Sequence, residues 1–215
     1  MKKYLLASLA AVVFASAADA ADVKPYVSLK GVYAKTTSTN FKYSGYDDEG
    51  TFSGKEKFSD KTYGARLAFG AKIDALRSEL EFGWNKEFSK NYSEVDEDDG
   101  EIDTWKDSFK TKTVMLNAYY DIFTKAGFTP YVGAGIGLSR INAKIDNVKA
   151  SDNSFAWQAG LGVAYNVTDN LALDLGYRYM NYGKAKGTWN DDEESGKVNA
   201  RLKTNEVLLG LRYTF

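Results

Sequence analysis

The end of the chain alternates strictly between two kinds of residue, and this alternation constrains the fold more than any other feature. Every second position is large and apolar or aromatic, and these residues are Val207, Leu209, Leu211, Tyr213 and Phe215. The positions between them hold Glu206, Leu208, Gly210, Arg212 and Thr214. A period of two is that of a β-strand, whose successive side chains point to opposite faces. The sequence therefore predicts a final strand with one fully apolar face and one face that carries charges.

The start of the chain has the layout of a secretory signal peptide. Two lysines give a positive beginning, an apolar run follows from Leu5 to Ala18, and small residues precede a cleavage point after Ala20. The run is too short to span a bilayer comfortably, so an uncleaved membrane anchor is the weaker alternative. We predict a signal peptide over residues 1–20 and an outer-membrane β-barrel domain over residues 21–215. In an exported chain, the apolar face of the final strand can lie in lipid and its charges inside a barrel.

The same alternation recurs along the chain and predicts eight strands. They cover residues 26–35, 62–72, 76–86, 112–122, 130–140, 155–166, 171–179 and 206–215. Each apolar face has the length that a tilted strand needs to cross the hydrocarbon layer, and an even number of strands returns both termini to one side. The mean hydropathy of −0.42 would suit a soluble protein, but alternating barrel strands also average to near-neutral values. The predicted fold class is all-β, an eight-stranded antiparallel up-and-down transmembrane β-barrel.

The connections between the predicted strands alternate between long and short. Four long loops cover residues 36–61, 87–111, 141–154 and 181–201, and three short turns cover residues 72–75, 123–128 and 167–170. Short periplasmic turns and long extracellular loops are typical of outer-membrane barrels. Aromatic residues are placed near one end of the apolar stripes (Tyr33, Tyr63, Trp84, Trp157 and Tyr179) and near the other (Tyr120, Tyr165, Tyr213 and Phe215). This placement predicts two aromatic girdles at the lipid–water boundaries.

Several segments resemble the opacity-type porin family, whose members are small eight-stranded outer-membrane barrels akin to the membrane domain of OmpA. The resembling segments are residues 119–121, 129–137, 173–179 and 182–184. The resemblance implies a surface antigen in the outer membrane of a Gram-negative-type bacterium, with extracellular loops and periplasmic termini. In some relatives the loops adhere to host cells, but these loops vary too much to transfer binding residues. The final strand resembles the assembly signal that the barrel-insertion machinery recognises, which implies this role for Val207, Leu209, Leu211, Tyr213 and Phe215.

The inward faces of the predicted strands carry equal numbers of positive and negative residues. The five cations are Lys30, Arg66, Arg77, Arg178 and Arg212, and the five anions are Glu79, Glu81, Asp121, Asp174 and Glu206. Eight strands enclose a space that side chains can fill. Burying an ion there without a partner would cost on the order of several kcal/mol. We therefore predict a narrow interior with a charge-paired network. The alternative is a small porin-like channel for ions or small solutes, although a selective pore would favour one sign of charge.

Strand five has an inward face without side chains, formed by Gly133, Gly135 and Gly137. These glycines can make room for long side chains from across the barrel, or they can leave a small water-filled gap. The sequence leaves both possibilities open.

The composition excludes the commonest kinds of catalytic and metal chemistry. The chain has no histidine and no cysteine, which removes the usual general base, the thiol nucleophile, disulfides and thiolate metal sites. Glu79 and Glu81 could act as a carboxylate pair on a glycoside, but both point inward on one strand and fit salt bridges better. We predict no enzymatic activity, no cofactor and no metal site. The net charge of −1 argues against nucleic-acid binding.

Three of the long loops carry acidic clusters, at residues 47–49, 96–103 and 191–194. Weak binding of a divalent cation and a protein-binding surface are two interpretations, and solvated loops that keep strand edges apart are the simplest one. The expected partners are outer-membrane lipid, the barrel-insertion machinery and host or surface ligands of the loops. A third overall hypothesis is a secreted lipocalin-like barrel with an apolar ligand inside. It would require the two faces of every strand to be inverted.

Overall fold

The computed structural model describes residues 23–36, 39–47, 50–58, 61–95, 102–145, 148–190 and 195–215. The predicted signal peptide lies outside these described residues. The described chain forms ten β-strands: β1 Lys24–Thr36, β2 Thr39–Asp47, β3 Gly50–Phe58, β4 Lys61–Ile73, β5 Leu76–Val95, β6 Ile102–Asp121, β7 Phe128–Ile145, β8 Val148–Asn166, β9 Leu171–Asn190 and β10 Ser195–Thr214. Over those same stretches, no helix has the length and apolar character needed to cross a membrane.

Eight of the strands close into a cylinder in which every neighbouring pair is antiparallel. The order around the cylinder is β1, β4, β5, β6, β7, β8, β9 and β10, and β10 pairs back with β1. At this closing seam Leu29 lies opposite Leu211, and on the other side of β1 Leu29 lies opposite Leu67. Closure removes the free sheet edges, whose unpaired backbone groups could not be tolerated in lipid. The predicted eight-stranded antiparallel barrel is confirmed.

The turns at one end of the barrel are short, and the hairpins at the other end are long. In the turn between β4 and β5, Ile73 pairs with Leu76, and Asp74 has a positive φ of 51°. Aspartate is one of the few residues that adopt this left-handed conformation readily, so it suits the tight turn. We call the two ends of the barrel the turn end and the loop end.

The strands continue at the loop end well beyond the predicted boundaries, so the predicted loops over 87–111, 141–154 and 181–201 are largely strand. β5 and β6 stay paired as far as Val95 and Ile102, and β9 and β10 as far as Asn190 and Ser195. The predicted strand ends are wrong here because they follow the apolar stripe. A stripe ends where the lipid ends, whereas backbone pairing needs no apolar side chains.

The predicted loop over 36–61 also contains strands, the hairpin of β2 and β3. This hairpin adds to the outer part of β10, where Ser195 pairs with Tyr46 and Arg201 with Asn40. The pairing of β10 with β1 ends just below, at Thr204 and Thr36. β10 therefore has two successive partners on the same side, β1 within the cylinder and β2 above it.

Exposure alternates along the strands as predicted, with apolar side chains outside and polar ones inside. Leu29, Leu175 and Leu209 expose 61%, 49% and 56% of their surface, while Lys30 and Asp174 are buried. Ala71 departs from the pattern, since alternation assigns it to the outward face and yet it is buried. The arrangement is the reverse of a soluble β-protein and is the one that a lipid environment requires.

Aromatic side chains meet one another at both ends of the outward face. Near the loop end, the ring centroids of Tyr33 and Tyr63 are 5.5 Å apart and those of Trp157 and Tyr179 are 5.4 Å apart. Near the turn end, Tyr213 and Phe215 are 5.2 Å apart. Rings with an apolar body and a polar edge are typical of the lipid–water boundary. These contacts fit the two predicted girdles.

Candidate functional site

The interior of the cylinder is filled by charged and polar side chains, which we describe as three clusters. The loop-side cluster contains Arg66, Glu81, Asn85, Arg178, Tyr182 and Glu206. The central cluster contains Tyr26, Lys30, Glu79, Asn117, Tyr119 and Gln158. The turn-side cluster contains Lys72, Arg77, Asp121, Tyr131, Asp174 and Arg212. All of these residues are buried except Lys72, which lies at the barrel mouth.

In the loop-side cluster two arginines and two glutamates alternate in a closed ring. The Nη1 and Nε atoms of Arg178 lie 2.9 Å from Oε1 of Glu81 and 2.8 Å from Oε2 of Glu206. The Nη2 and Nε atoms of Arg66 lie 3.2 Å from Oε2 of Glu206 and 3.8 Å from Oε1 of Glu81. Each charge therefore has two opposite neighbours, which offsets the cost of removing these ions from water.

The contact between Arg178 and Glu81 crosses the lumen. Arg178 is on β9 and Glu81 on β5, and these strands are four positions apart among the eight that form the cylinder. They therefore stand on opposite walls. A direct hydrogen bond of 2.9 Å between them leaves no room for an open pore at this level.

Tyr182 and Asn85 complete the loop-side cluster. The hydroxyl of Tyr182 donates to Oε1 of Glu206 at 2.5 Å, and Nδ2 of Asn85 donates to the same hydroxyl at 2.6 Å. Sequence reasoning did not include Tyr182 because it lies beyond the predicted end of strand seven. The signal was available, since continued alternation from Arg178 gives Met180 and Tyr182 the same inward direction.

In the central cluster, the carboxylate of Glu79 is the common acceptor. It receives hydrogen bonds from the hydroxyls of Tyr119 at 2.9 Å and Tyr26 at 3.1 Å, and from Nδ2 of Asn117 at 3.3 Å. The ammonium of Lys30 is 3.5 Å from the same carboxylate. Three neutral donors thus share this carboxylate with the Lys30 ammonium, because a buried carboxylate needs several partners.

The turn-side cluster holds two aspartates in different surroundings. Asp121 accepts from Nε of Arg77 at 2.9 Å and from Nζ of Lys72 at 2.6 Å. Asp174 accepts from the hydroxyl of Tyr131 at 2.5 Å and is 3.6 Å from Nη1 of Arg212. Lys72 was missing from the predicted set because it is the last residue of the predicted second strand.

The guanidinium of Arg77 also lies over the ring faces of two tyrosines. Its Cζ lies 4.8 Å from the ring centroid of Tyr119 and 4.7 Å from that of Tyr131. A guanidinium over an aromatic face is attracted by the ring quadrupole, most strongly where water is excluded. The inward tyrosines therefore contribute both hydrogen bonds and cation–π contacts.

Inward glycines lie directly opposite the bulky side chains that fill the barrel. Gly133 pairs with Tyr119, Gly135 with Asn117 and Gly137 with Met115. A Cβ atom at any of these glycines would collide with the side chain opposite. These glycines therefore make room for large side chains, but those side chains come from the adjacent strand β6 and not, as expected, from across the barrel.

A small cavity lies between the clusters. Its volume is about 20 Å³, which is enough for roughly one water molecule. It is lined by Lys30, Tyr119, Tyr131, Gln158, Arg178 and the glycines at 160 and 176, among others. The cavity is too small for a solute path through the described interior.

Within the described residues, no group of three or more carboxylates could hold a metal ion. The acidic residues 48–49, 96–101 and 191–194 lie outside the described residues.

Comparison with known proteins agrees with this architecture. The family model of the outer membrane protein beta-barrel domain matches residues 5–215. The outer membrane protein PagN of Salmonella typhimurium is 34% identical over 124 residues, which are 51% of this chain and 52% of PagN. An opacity protein of Neisseria gonorrhoeae is 28% identical over 132 residues, which are 46% of this chain and 52% of that protein. The chain spans about half the length of these curated relatives.

Among solved structures, Neisserial surface protein A has the same fold. It superposes with a TM-score of 0.59 at 23% sequence identity, over 91% of this chain and all of that one (100%). The expected resemblance to opacity-type barrels is confirmed, and so is the location in the outer membrane of a Gram-negative bacterium. The chain belongs to the family of outer-membrane proteins with a β-barrel domain.

Proposed function

We propose that this protein is a surface-interaction protein, in which a closed, charge-paired barrel anchors long extracellular hairpins that contact host or other surface ligands. In this role the barrel supplies a rigid base and the hairpins supply the contact surface. The ten predicted interior residues act structurally in this proposal, and none of them is assigned a catalytic role.

The observation that carries the proposal is the Arg178–Glu81 contact across the lumen. A barrel whose opposite walls are joined by a buried ion pair is built for stability of the wall and not for passage. Breaking such a pair leaves an uncompensated buried charge, so the barrel has a strong preference for the closed arrangement.

The length of the strands supports a role at the surface. About nine to eleven residues of a tilted strand cross the hydrocarbon layer, whereas β5, β6, β9 and β10 each have 20 residues. The additional residues lie at the loop end and form paired hairpins. Paired strands cost less entropy to hold in place than free loops do, so they can present a defined surface.

The similarity to PagN, which is an outer membrane protein by name, and to opacity proteins also supports the proposal. The chain covers only about half of each relative, so the proposal names no particular ligand. We further propose that residues 1–20 direct export, and that the final strand, through Val207, Leu209, Leu211, Tyr213 and Phe215, is read by the barrel-insertion machinery.

The proposal is tested by removing hairpins while the barrel is kept. In one variant, residues 88–109 are replaced by a two-residue turn, and in a second, residues 40–57 are replaced in the same way. Folding is checked by heat-modifiable gel migration, which does not require the hairpins. Bacteria that display the full protein should bind cultured epithelial cells several-fold better than bacteria that display the shortened variants. Equal binding by all variants, at equal surface levels, would refute the surface role.

Electrical recording separates this proposal from the channel alternative. We expect purified full-length protein to give no stable current steps in a planar bilayer, because the Arg178–Glu81 contact closes the lumen. Reproducible unitary steps from the unmodified protein would favour the small-channel function. Recovery of the protein in the soluble periplasmic fraction without detergent would favour the lipocalin-like hypothesis.

A further inference from the structure

The small cavity between the clusters is lined by two positive side chains, Lys30 of the central cluster and Arg178 of the loop-side cluster. Its other polar lining comes from Tyr119, Tyr131 and the amide of Gln158. Among the described residues that line it, there is no aspartate or glutamate. The charged groups that border this space are therefore both positive.

Arg178 keeps a buried donor that the ring of alternating charges does not use. Its Nη1 and Nε atoms bind Glu81 and Glu206, whereas Nη2 is buried and has no hydrogen-bond partner within the described part of the chain. The side chain cannot reach water for this purpose, since Arg178 is only 3% exposed. A buried N–H group on a charged side chain is costly without an acceptor, so it calls for a further partner. The cavity that Arg178 lines offers the space for one.

Lys30 also has donors to spare. Its Nζ atom lies 3.5 Å from Oε1 of Glu79, which is beyond the usual length of a hydrogen bond between charged groups. An ammonium group carries three N–H donors and no acceptor. The hydroxyls of Tyr119 and Tyr131, by contrast, already give their protons to Glu79 and Asp174. The donors that remain for a ligand in the cavity thus come mainly from the two cations.

Inward glycines of β8 and β9 create the space between these side chains. Gly160 lies opposite Arg178, and Gly162 lies opposite Gly176. Gly160 and Gly176 both line the cavity and contribute no side chain to it. Its volume of about 20 Å³ suits one water molecule or one monatomic ion of similar size.

The charges of the three clusters do not balance. The loop-side cluster has two cations and two anions, and the central cluster has one of each. The turn-side cluster has three cations and two anions, because Lys72 joins Arg77 and Arg212 there. The three clusters together therefore hold six cations and five anions. A single monovalent anion would bring them to neutrality, which buried charges require.

From these observations we propose that the cavity binds one small monovalent anion of halide size, held between Nη2 of Arg178 and Nζ of Lys30. A halide only accepts hydrogen bonds, whereas a water molecule also brings two protons that need acceptors. Hydrogen bonds from charged donors are strong where water is excluded. The bound ion would join the loop-side and central clusters. The inference is independent of the proposed surface function, because it concerns the enclosed interior and not the hairpins.

The first test locates the ion directly. Full-length folded protein is crystallised from detergent in sodium bromide, and bromide is located by anomalous diffraction. We expect an anomalous peak inside the cavity, in contact with Arg178 and Lys30. A water molecule at this position without an anomalous peak would overturn the proposal, and so would bromide peaks confined to the protein surface.

The second test measures the effect of the ion on stability. Urea-induced unfolding in lipid vesicles is followed at increasing sodium chloride, with sodium gluconate added to keep the ionic strength constant, since gluconate is too large for the cavity. Over the range in which the site fills, each tenfold rise in chloride should lower the unfolding equilibrium constant by up to about tenfold, as expected for one ion that binds only the folded state. An equilibrium constant that does not change with chloride would contradict the proposal.

A matched pair of glycine variants distinguishes this site from general effects of salt. A Cβ atom at Gly176 would lie 3.0 Å from the hydroxyl oxygen of Tyr131 and 3.7 Å from Leu208, both of which line the cavity. Gly176→Ala therefore fills the space without removing a charge, and it should abolish the dependence on chloride. Gly31→Ala is the control, because its Cβ meets only the carbonyl oxygen of Leu209 at 3.7 Å, and it should keep the full dependence. Equal dependence in the two variants would place the chloride effect elsewhere and refute the site.

A charge variant gives an independent check if Gly176→Ala does not fold. The double variant K30Q/E79Q removes the lysine together with its carboxylate partner, so neither is left buried alone. It should lose most of the dependence on chloride and the anomalous bromide peak. Retention of both by K30Q/E79Q would show that Lys30 does not hold an anion.

Discussion

Nη1 of Arg178 lies 2.9 Å from Oε1 of Glu81, so a single hydrogen-bonded ion pair joins the two opposite walls of the barrel. Both side chains are buried, and Arg178 also contacts Glu206 at 2.8 Å. The pair thus belongs to a ring of alternating charges whose members depend on one another.

Removal of one member should expose this dependence. We expect Arg178→Met to lower the free energy of unfolding by about 3–5 kcal/mol, because Glu81 then loses its nearest counter-charge in a buried setting. Adding Glu81→Gln to this variant should recover part of the loss. The measurement is urea-induced unfolding in lipid vesicles, followed by tryptophan fluorescence. Strictly additive effects of the two substitutions would show that the residues do not interact.

The hydroxyl of Tyr182 should contribute to stability through the same ring. It donates to Glu206 and accepts from Asn85 and from Nη2 of Arg66. We expect Tyr182→Phe to cost about 1.5–3 kcal/mol, the range for hydrogen bonds to charged groups. Tyr177→Phe is the matched control, since Tyr177 is on the same strand but faces outward with 47% exposure. Similar effects of both substitutions in the urea experiment would contradict the role of the buried hydroxyl.

The inward glycines should be intolerant of even one methyl group. A Cβ atom at Gly135 would collide with the side chain of Asn117 and lie 3.0 Å from the carbonyl oxygen of Leu116. We expect Gly135→Ala to destabilise the barrel by about 1–3 kcal/mol, as overpacking does in cores. Gly31→Ala is the control, because its Cβ meets only the carbonyl oxygen of Leu209 at 3.7 Å. An equally large loss at Gly31 would mean that strand propensity, and not packing, sets the effect.

The last residue should matter for assembly more than for stability. Phe215 packs against Tyr213 at 5.2 Å and its N–H donates to the carbonyl of Pro25. We expect removal of Phe215 to reduce insertion into the outer membrane of living cells several-fold, while refolding of the purified chain in detergent stays efficient. Heat-modifiable gel migration measures both the insertion in cells and the refolding in detergent. Normal insertion in cells would show that the final strand is not read through this residue.

Alternation in the sequence was sufficient to predict which residues share the interior, because a strand offers only two faces. The structure places Arg66, Glu81, Arg178 and Glu206 together, yet nothing in the sequence pairs β5 with β9 across the lumen. That contact depends on the closure and tilt of the cylinder, which set the height of each side chain. The predicted network left out neutral partners such as Asn85, which lies on the predicted inward face of strand three, because a search for charges does not find the neutral groups that hydrogen-bond to them.

The exact ends of the strands were the other feature beyond the reach of the sequence, although the aromatic residues that flank the acidic clusters, such as Tyr92, Trp105 and Trp189, indicate strands that project beyond the membrane. Within the membrane, lipid enforces apolar residues on alternate positions of β9, and the pattern is easy to read. Past Tyr179 the outward positions face water, where lysine and glycine serve as well as leucine. The pattern of hydropathy therefore does not reveal that the strands stay paired as far as Asn190 and Ser195.

The attachment of the hairpin of β2 and β3 to the outer part of β10 has a consequence for biogenesis. This hairpin lies near the start of the described chain, whereas the strand that it docks on follows the other nine described strands. The hairpin has no neighbour to pair with until β10 has entered the wall and closed the cylinder against β1. Completion of the wall and completion of the outermost sheet are therefore one event, and a chain that fails to finish the first cannot display the second.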